Sequence, residues 1–264
     1  MTMHMHRAWL LPALLLASAA ARSDVGDDWL AKVPPPPKTL AEAQARCGEQ
    51  APHPRSWDKL GAQLQAASDK LEQDLRTRMS DPKVQQDMAM QSMAASMDPA
   101  SAMAQMHYSQ YLGGLGPLMP DVRAQTLLDP PFKSAESTVD AVLDVASAKL
   151  KKCPMQDSEA GRFPIESCQK PIDADSTAKK DAAANQYLAA VTKAWPQFLK
   201  DAQDYFRKAG AVPDGVDPKS FNVMMQRDNL PVQELAAVKL VSQQSEQACT
   251  NAVQLAAKFV YTDY

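Results

Sequence analysis

Leu60, Leu64, Ala67, Leu71, Leu75 and Met79 recur at steps of three and four residues, so they share one face of a single long helix. Ser56 heads that stretch as an N-cap. Punctuation elsewhere is of the same kind, in the pairs Asp81-Pro82, Asp98-Pro99, Asp129-Pro130 and Asp217-Pro218. The aspartate can accept from the exposed amides of a first helical turn, and the proline sits where it forfeits no hydrogen bond, so each pair reads as a helix start. Glycine is scarce at 9 of 264 residues, valine and isoleucine are few, and alanine and glutamine abound, a balance that disfavours sheet. The expected fold is all-α: a multi-helix bundle stabilised by one or two disulfides. Its helices are expected over 39–49, 56–79, 82–97, 99–112, 118–128, 135–152, 178–209, 218–227 and 231–260. Gly113-Gly114-Leu115-Gly116-Pro117 interrupts the series. It lacks the lysine and the preceding strand of a phosphate-binding loop and reads as a turn.

Two of these helices carry their own signals. Tyr187, Val191, Trp195, Phe198, Ala202 and Tyr205 or Phe206 share a face, Gly210 supplies the stop, and Pro196 is expected to kink the helix near Thr192. The last helix bears Leu235, Val238, Cys249, Ala252, Leu255 and Phe259, while Ser242 to Gln247 form a polar stretch that is not expected to be buried all round.

The N-terminus reads as an address. Met1 to Arg7 carry one firm positive charge, an apolar run from Ala8 to Ala17 follows, and both Ala17-Ser18-Ala19 and Ala19-Ala20-Ala21 fit the small-x-small processing rule. Residues 1–21 therefore read as a secretory signal peptide cut after Ala19 or Ala21. The apolar run is too short to span a bilayer, and no cysteine follows either site to take a lipid. The expected location is the periplasm, or the medium, in solution after cleavage. None of the asparagines lies in an Asn-x-Ser/Thr sequon, which favours the periplasm over a eukaryotic secretory route. Residues 22–38 contain Pro34-Pro35-Pro36-Pro37 and read as a stiff, extended leader ahead of a single helical domain over 39–264.

Export gives the four cysteines a meaning. Cys47, Cys153, Cys168 and Cys249 would lie in an oxidising compartment, where an even count suggests two bridges. Cys153 with Cys168 is favoured, because Pro154, Gly161 and Pro164 lie between them without helical period. On the chain-entropy account that bridge contributes roughly 3 kcal/mol. Cys47 with Cys249 would then fasten the first helix to the last. No Cys-x-x-Cys is present to suggest redox or metal chemistry. The formal charge of -3, from 28 basic and 31 acidic residues, disfavours nucleic acid and anionic membrane surfaces as partners.

The motifs of catalysis are missing. His53 and His107 are the only histidines beyond the signal, there is no His-Glu-x-x-His or Gly-x-Ser-x-Gly, and Ser56-Trp57-Asp58-Lys59 fits a helix cap better than a Ser-x-x-Lys nucleophile. Asp140 and Asp144 share a helical face and leave a cell-wall hydrolase as the third reading. Methionine is the one unusual feature, with Met79, Met88, Met90, Met93, Met97, Met103 and Met106 packed into 28 positions. These side chains can fill a core. Alternatively Met88, Met90, Met93 and Met97 form an adaptable partner-binding surface. In a further alternative, Met103, Met106 and His107, at i, i+3 and i+4, hold Cu(I) with soft ligands. The leading expectation is an exported, non-enzymatic binding or interaction protein, an inhibitor, immunity-type partner or holdase. Its partner would be another exported or incoming protein, and it would need no cofactor unless the copper alternative holds.

Overall fold

The computed structural model describes residues 25–158, 161–218 and 220–259, so the signal-peptide reading of 1–21 lies outside the described residues. In chain order the elements are α1 (Val25–Leu30), α2 (Leu40–Cys47), α3 (Ser56–Met79), α4 (Pro82–Met97), α5 (Pro99–Gly113), a 3-10 turn (Gly116–Leu118), α6 (Pro120–Leu127) and α7 (Asp129–Leu150). A hairpin of β1 (Met155–Ser158) and β2 (Gly161–Pro164) follows, and then α8 (Glu166–Ala209) and α9 (Phe221–Ala257). The fold is all-α with one hairpin and two disulfides. Among the described residues no helix is long and apolar enough to cross a membrane.

Local chemistry sets most of these boundaries. Asp81 accepts from the Lys83 amide with Pro82 in the first turn of α4, and Asp98 accepts from the Ala100 amide at the start of α5. Asp129 and Pro130 open α7 six residues before the expected start. Asp217-Pro218 instead precedes α9, which begins at Phe221. Ser56 is the first helical residue of α3 and does not cap it; the Asp58 carboxylate reaches back to the Arg55 amide at 2.8 Å.

The two longest helices correct the sequence reading. α8 runs unbroken for 44 residues through Pro171 and Pro196, and α9 for 37 residues through Pro231, merging the two helices expected over 218–227 and 231–260. A proline inside a helix costs about 3 kcal/mol in isolation. Burial on both sides accompanies two of these prolines: around Pro196, α8 buries Leu188, Val191, Trp195, Phe198, Ala202 and Phe206, and α9 buries Val223 before Pro231 and Leu235, Val238 and Val241 after it, whereas α8 is buried only on the C-terminal side of Pro171. These helices pack with α2, α3, α6 and α7 around one main core.

The segment read as a stiff leader is also part of the core. Leu30, Val33 and Pro37 are buried, and a Cβ on Gly26 would lie 2.6 Å from the Phe206 ring, so only glycine permits that approach. The Gly26 amide donates to Glu234 on α9 at 3.0 Å. Proline excludes this stretch from a helix interior but leaves its carbonyls as acceptors. Pro35 O takes a bond from Arg46 at 2.9 Å, and Pro34 O takes one from the Ser245 hydroxyl.

Ser245 lies in the polar stretch of α9, which is buried on one side only: Ser242 and Ser245 face inward while Gln243 and Gln247 are exposed. Its Oγ accepts from Trp57 Nε1 at 3.2 Å while donating to Pro34. One turn further on, Cys249 is bonded to Cys47, with Cα atoms 6.1 Å apart. The Arg46 guanidinium stacks 4.5 Å over the Trp57 ring. The second bridge, Cys153–Cys168, with Cα atoms 5.9 Å apart, closes the hairpin, in which Met155 pairs with Pro164 and Gln156 with Phe163. Both favoured pairings are therefore present.

Ser245→Ala leaves a buried indole N–H and a part-buried carbonyl without partners. It should lower stability by about 2 kcal/mol in urea unfolding, although little apolar contact is lost. The alkaline limb offers a second check. Burial, opposed by the bond from Asn251, pushes the Tyr187 phenol up to about 12. In the unfolded chain a phenol ionises near 10, so above that pH the unfolded state gives up its proton first and stability falls until the folded phenol also titrates. Lys258 acts in the same direction. Its hydrogen bond to Asp140, and then that to Glu136, raise its pKa, so its contribution is intact below the ordinary lysine value and fades as pH rises through the folded one. Tyr187→Phe should flatten the decline in urea midpoint between about pH 10 and 12, recovering about 2 kcal/mol of pH-dependent loss.

Candidate functional site

α4 and α5 follow α3 as a two-helix arm, and their sequences explain why they do not join the core. Val84 and Met88 on α4 are half-buried, and none of its described side chains is fully buried. Beyond Val84, its apolar residues are alanine and methionine scattered around the helix, with no continuous leucine face to commit to the bundle. The arm is fixed at its two ends. At its base, Arg78 of α3 pairs with Asp228 of α9 at 3.4 Å. Near the end of α5, Tyr108 is buried against Val216 and Val223, with Tyr111 and Leu112 beside it. The Tyr111 hydroxyl donates to the Lys208 carbonyl of α8 at 2.8 Å. Burial pushes the Tyr108 phenol up, against the pull of the Arg227 charge.

Between these anchors the methionines face solvent. Met90 is 56% exposed, Met93 61%, Met97 78%, Met103 65% and Met106 55%. Of the partner-binding set expected from sequence, Met90, Met93 and Met97 lie at i, i+3 and i+7 on α4 and present their thioethers outward, whereas Met88 is half-buried. The core-filling alternative is thus corrected for these five side chains. The sequence alone could not separate the readings, because a stripe at helical spacing looks the same whichever way it faces. Met103, Met106 and His107 also share a face of α5, and all three are exposed. Among the described residues no three His, Cys, Asp or Glu side chains gather to hold a metal ion.

Both acids expected for hydrolysis lie exposed on α7. Asp140 accepts from Lys258 Nζ at 2.9 Å, and Asp144 is exposed one turn along α7. A wide cleft has no counterpart in the sequence analysis. It holds about 1010 Å³ at the base of the arm, between α3, the end of α8 and the start of α9. Leu71 and Phe206 line it together with Arg78, Arg227, Asp228 and Glu234. Asp228 is paired with Arg78, and Glu234 holds the Gly26 amide, so these two carboxylates serve the packing of the helices around the cleft. Neither the cleft nor the Tyr108 anchor has a local signal in the sequence, since each joins segments about a hundred residues apart or more.

Met90→Gln, Met93→Gln and Met97→Gln together should change the free energy of unfolding by less than about 0.5 kcal/mol, because glutamine matches methionine in helix propensity and little burial is lost. Buried methionines would lose about 2 kcal/mol or more apiece. Urea unfolding followed by circular dichroism separates the two outcomes. No protein-family model, curated protein or solved structure matches this chain, so the functional reading rests on the site itself.

Proposed function

We propose that this is an exported, non-enzymatic binding protein that offers the methionine face of α4 and α5 to another exported or incoming protein, as an inhibitor, an immunity-type partner or a holdase does. The observation that carries the reading is the exposure of five methionines on two consecutive helices. An apolar patch held in water is costly to maintain and marks interaction surfaces in folded proteins. Methionine suits that role because its unbranched, polarizable side chain adapts to the shape of what it meets. Two disulfides, with no free cysteine among the described residues, are compatible with export to an oxidising compartment. The leader-like features of residues 1–21 support the same address.

A photoreactive amino acid placed at position 90, 93, 97 or 103 in the producing cell should crosslink to protein, while the same residue at exposed Val145 on α7 should not. One dominant adduct means a dedicated partner; a ladder of adducts means a holdase. Met90→Lys, Met93→Lys and Met97→Lys together should lower the yield of adduct at position 103 about tenfold, since each lysine sets an ammonium against a desolvating surface. Crosslinking no greater at the four arm positions than at Val145 would refute the proposal.

A further inference from the structure

We infer that the same five methionines are a reversible oxidation site, and that their oxidation switches the arm from an apolar surface to a polar one. The inference deepens the binding role proposed for this face and rests on it. Its basis is the distribution of sulfur. All four cysteines are closed in disulfides, and Cys47, Cys153 and Cys249 are buried as well, so no thiol among the described residues competes for an oxidant. Thioethers are then the readiest two-electron donors on the surface, and their reactivity follows exposure. Met90, Met93, Met97, Met103 and Met106 are 55–78% exposed and lie within 17 residues on one arm. Outside that group exposure falls, to 38% at Met119 and 37% at Met224, and Met79, Met88, Met155 and Met225 are each partly covered.

The chemistry needs a peroxide or hypohalous acid, the class of oxidant that reaches an exported protein from outside the cell. With hydrogen peroxide, a sulfur lone pair attacks one oxygen, the S–O bond forms as the O–O bond breaks, and the departing oxygen leaves as water after proton transfer. Sulfur is oxidised by two electrons and peroxide is reduced by two. In the reverse step a methionine sulfoxide reductase draws two electrons from a pair of thiols, forming a disulfide and releasing the oxygen as water. Each sulfoxide replaces an apolar thioether with a strong dipole and acceptor, which must be desolvated before any apolar partner can dock. Five such changes on one arm act together. The arm carries few core contacts, so the bundle beneath it is spared.

The full mature chain with its disulfides intact should be treated with a limiting amount of hydrogen peroxide, and the gain of one oxygen located by peptide mass mapping. The five arm methionines should react about tenfold faster than Met155 and Met225. The apolar dye bis-ANS then reports the surface. Its affinity should fall about tenfold on oxidation and recover after treatment with the two sulfoxide reductases that act on the opposite epimers. A variant with leucine at positions 90, 93, 97, 103 and 106 should bind the dye as the parent does and ignore peroxide. Equal oxidation of Met155 and Met225 would overturn the assignment of the site, and unchanged dye affinity after full oxidation of the five would overturn the switch. Both results leave the crosslinking test of docking untouched. Failure of the unoxidised parent to take up the dye would instead count against the docking face itself, and against the switch with it.

Discussion

The bond from Trp57 Nε1 to Ser245 Oγ, and the onward bond from that hydroxyl to Pro34 O, hold together three segments with no sequence proximity. α3 brings the indole, α9 the hydroxyl and the proline run the carbonyl. The bond from the indole is buried and the one to the proline carbonyl part-buried, and away from water an unmet donor or acceptor costs more than the bond contributes. Each group therefore requires the other two to be in place. The Cys47–Cys249 bridge lies one turn away on α9 and closes a span of 202 residues, so it restricts the unfolded chain where the hydrogen bonds select the folded one. With Arg46 stacked on Trp57 and bonded to Pro35, the prolines become a strap held between helices.

That arrangement explains where the sequence was readable and where it was not. The boundaries of α4 and α5 follow from Asp-Pro pairs, and the buried face of α8 from Tyr187 to Phe206 follows from spacing. Both disulfide pairings were accessible from the helix-free character of 154–164 and the remaining pair of cysteines. Pro196 lies inside a helix, as expected from the sequence, whereas at Pro231 the local cost is visible in the sequence and the tertiary burial on either side is not, and α8 begins before Pro171 rather than after it. At Pro34 to Pro37 exclusion from a helix was equated with exclusion from the core, although a run with no amides to satisfy is well suited to burial. The fit of Gly26 against Phe206 depends on a contact 180 residues away and leaves no local trace.

The candidate site divides the same way. The methionine stripe is plain in the sequence, but a hydrophobic period says only that residues share a face, not what they face. What resolves it is the rest of α4. Val84 and Met88 supply a narrow contact, too small to draw the helix into a bundle whose long members α3, α7, α8 and the second half of α9 bury leucines, valines or aromatics. Expectations of catalysis suffer from the converse difficulty. Asp140 looks available beside Asp144 until Lys258, 118 residues further on, occupies it.

Holding apolar side chains in water forgoes about 25 cal/mol for each Å² that burial would have gained, so an arm of this kind is not maintained by its own packing. Its persistence depends on its ends. Arg78 reaches Asp228, Tyr108 packs on Val216 and Val223, and Tyr111 reaches the end of α8, so nearly all the anchoring falls on the start of α9 and the loop before it. That part of α9 is separated by Pro231 from the half tied down by Ser245 and Cys249. A proline interrupts the hydrogen-bond ladder and is a natural place for a helix to bend. The turns of α9 that hold the arm thus precede Pro231 while those that hold the strap and the disulfide follow it, and the cleft lined by Arg78, Arg227 and Asp228 lies beside the first of these.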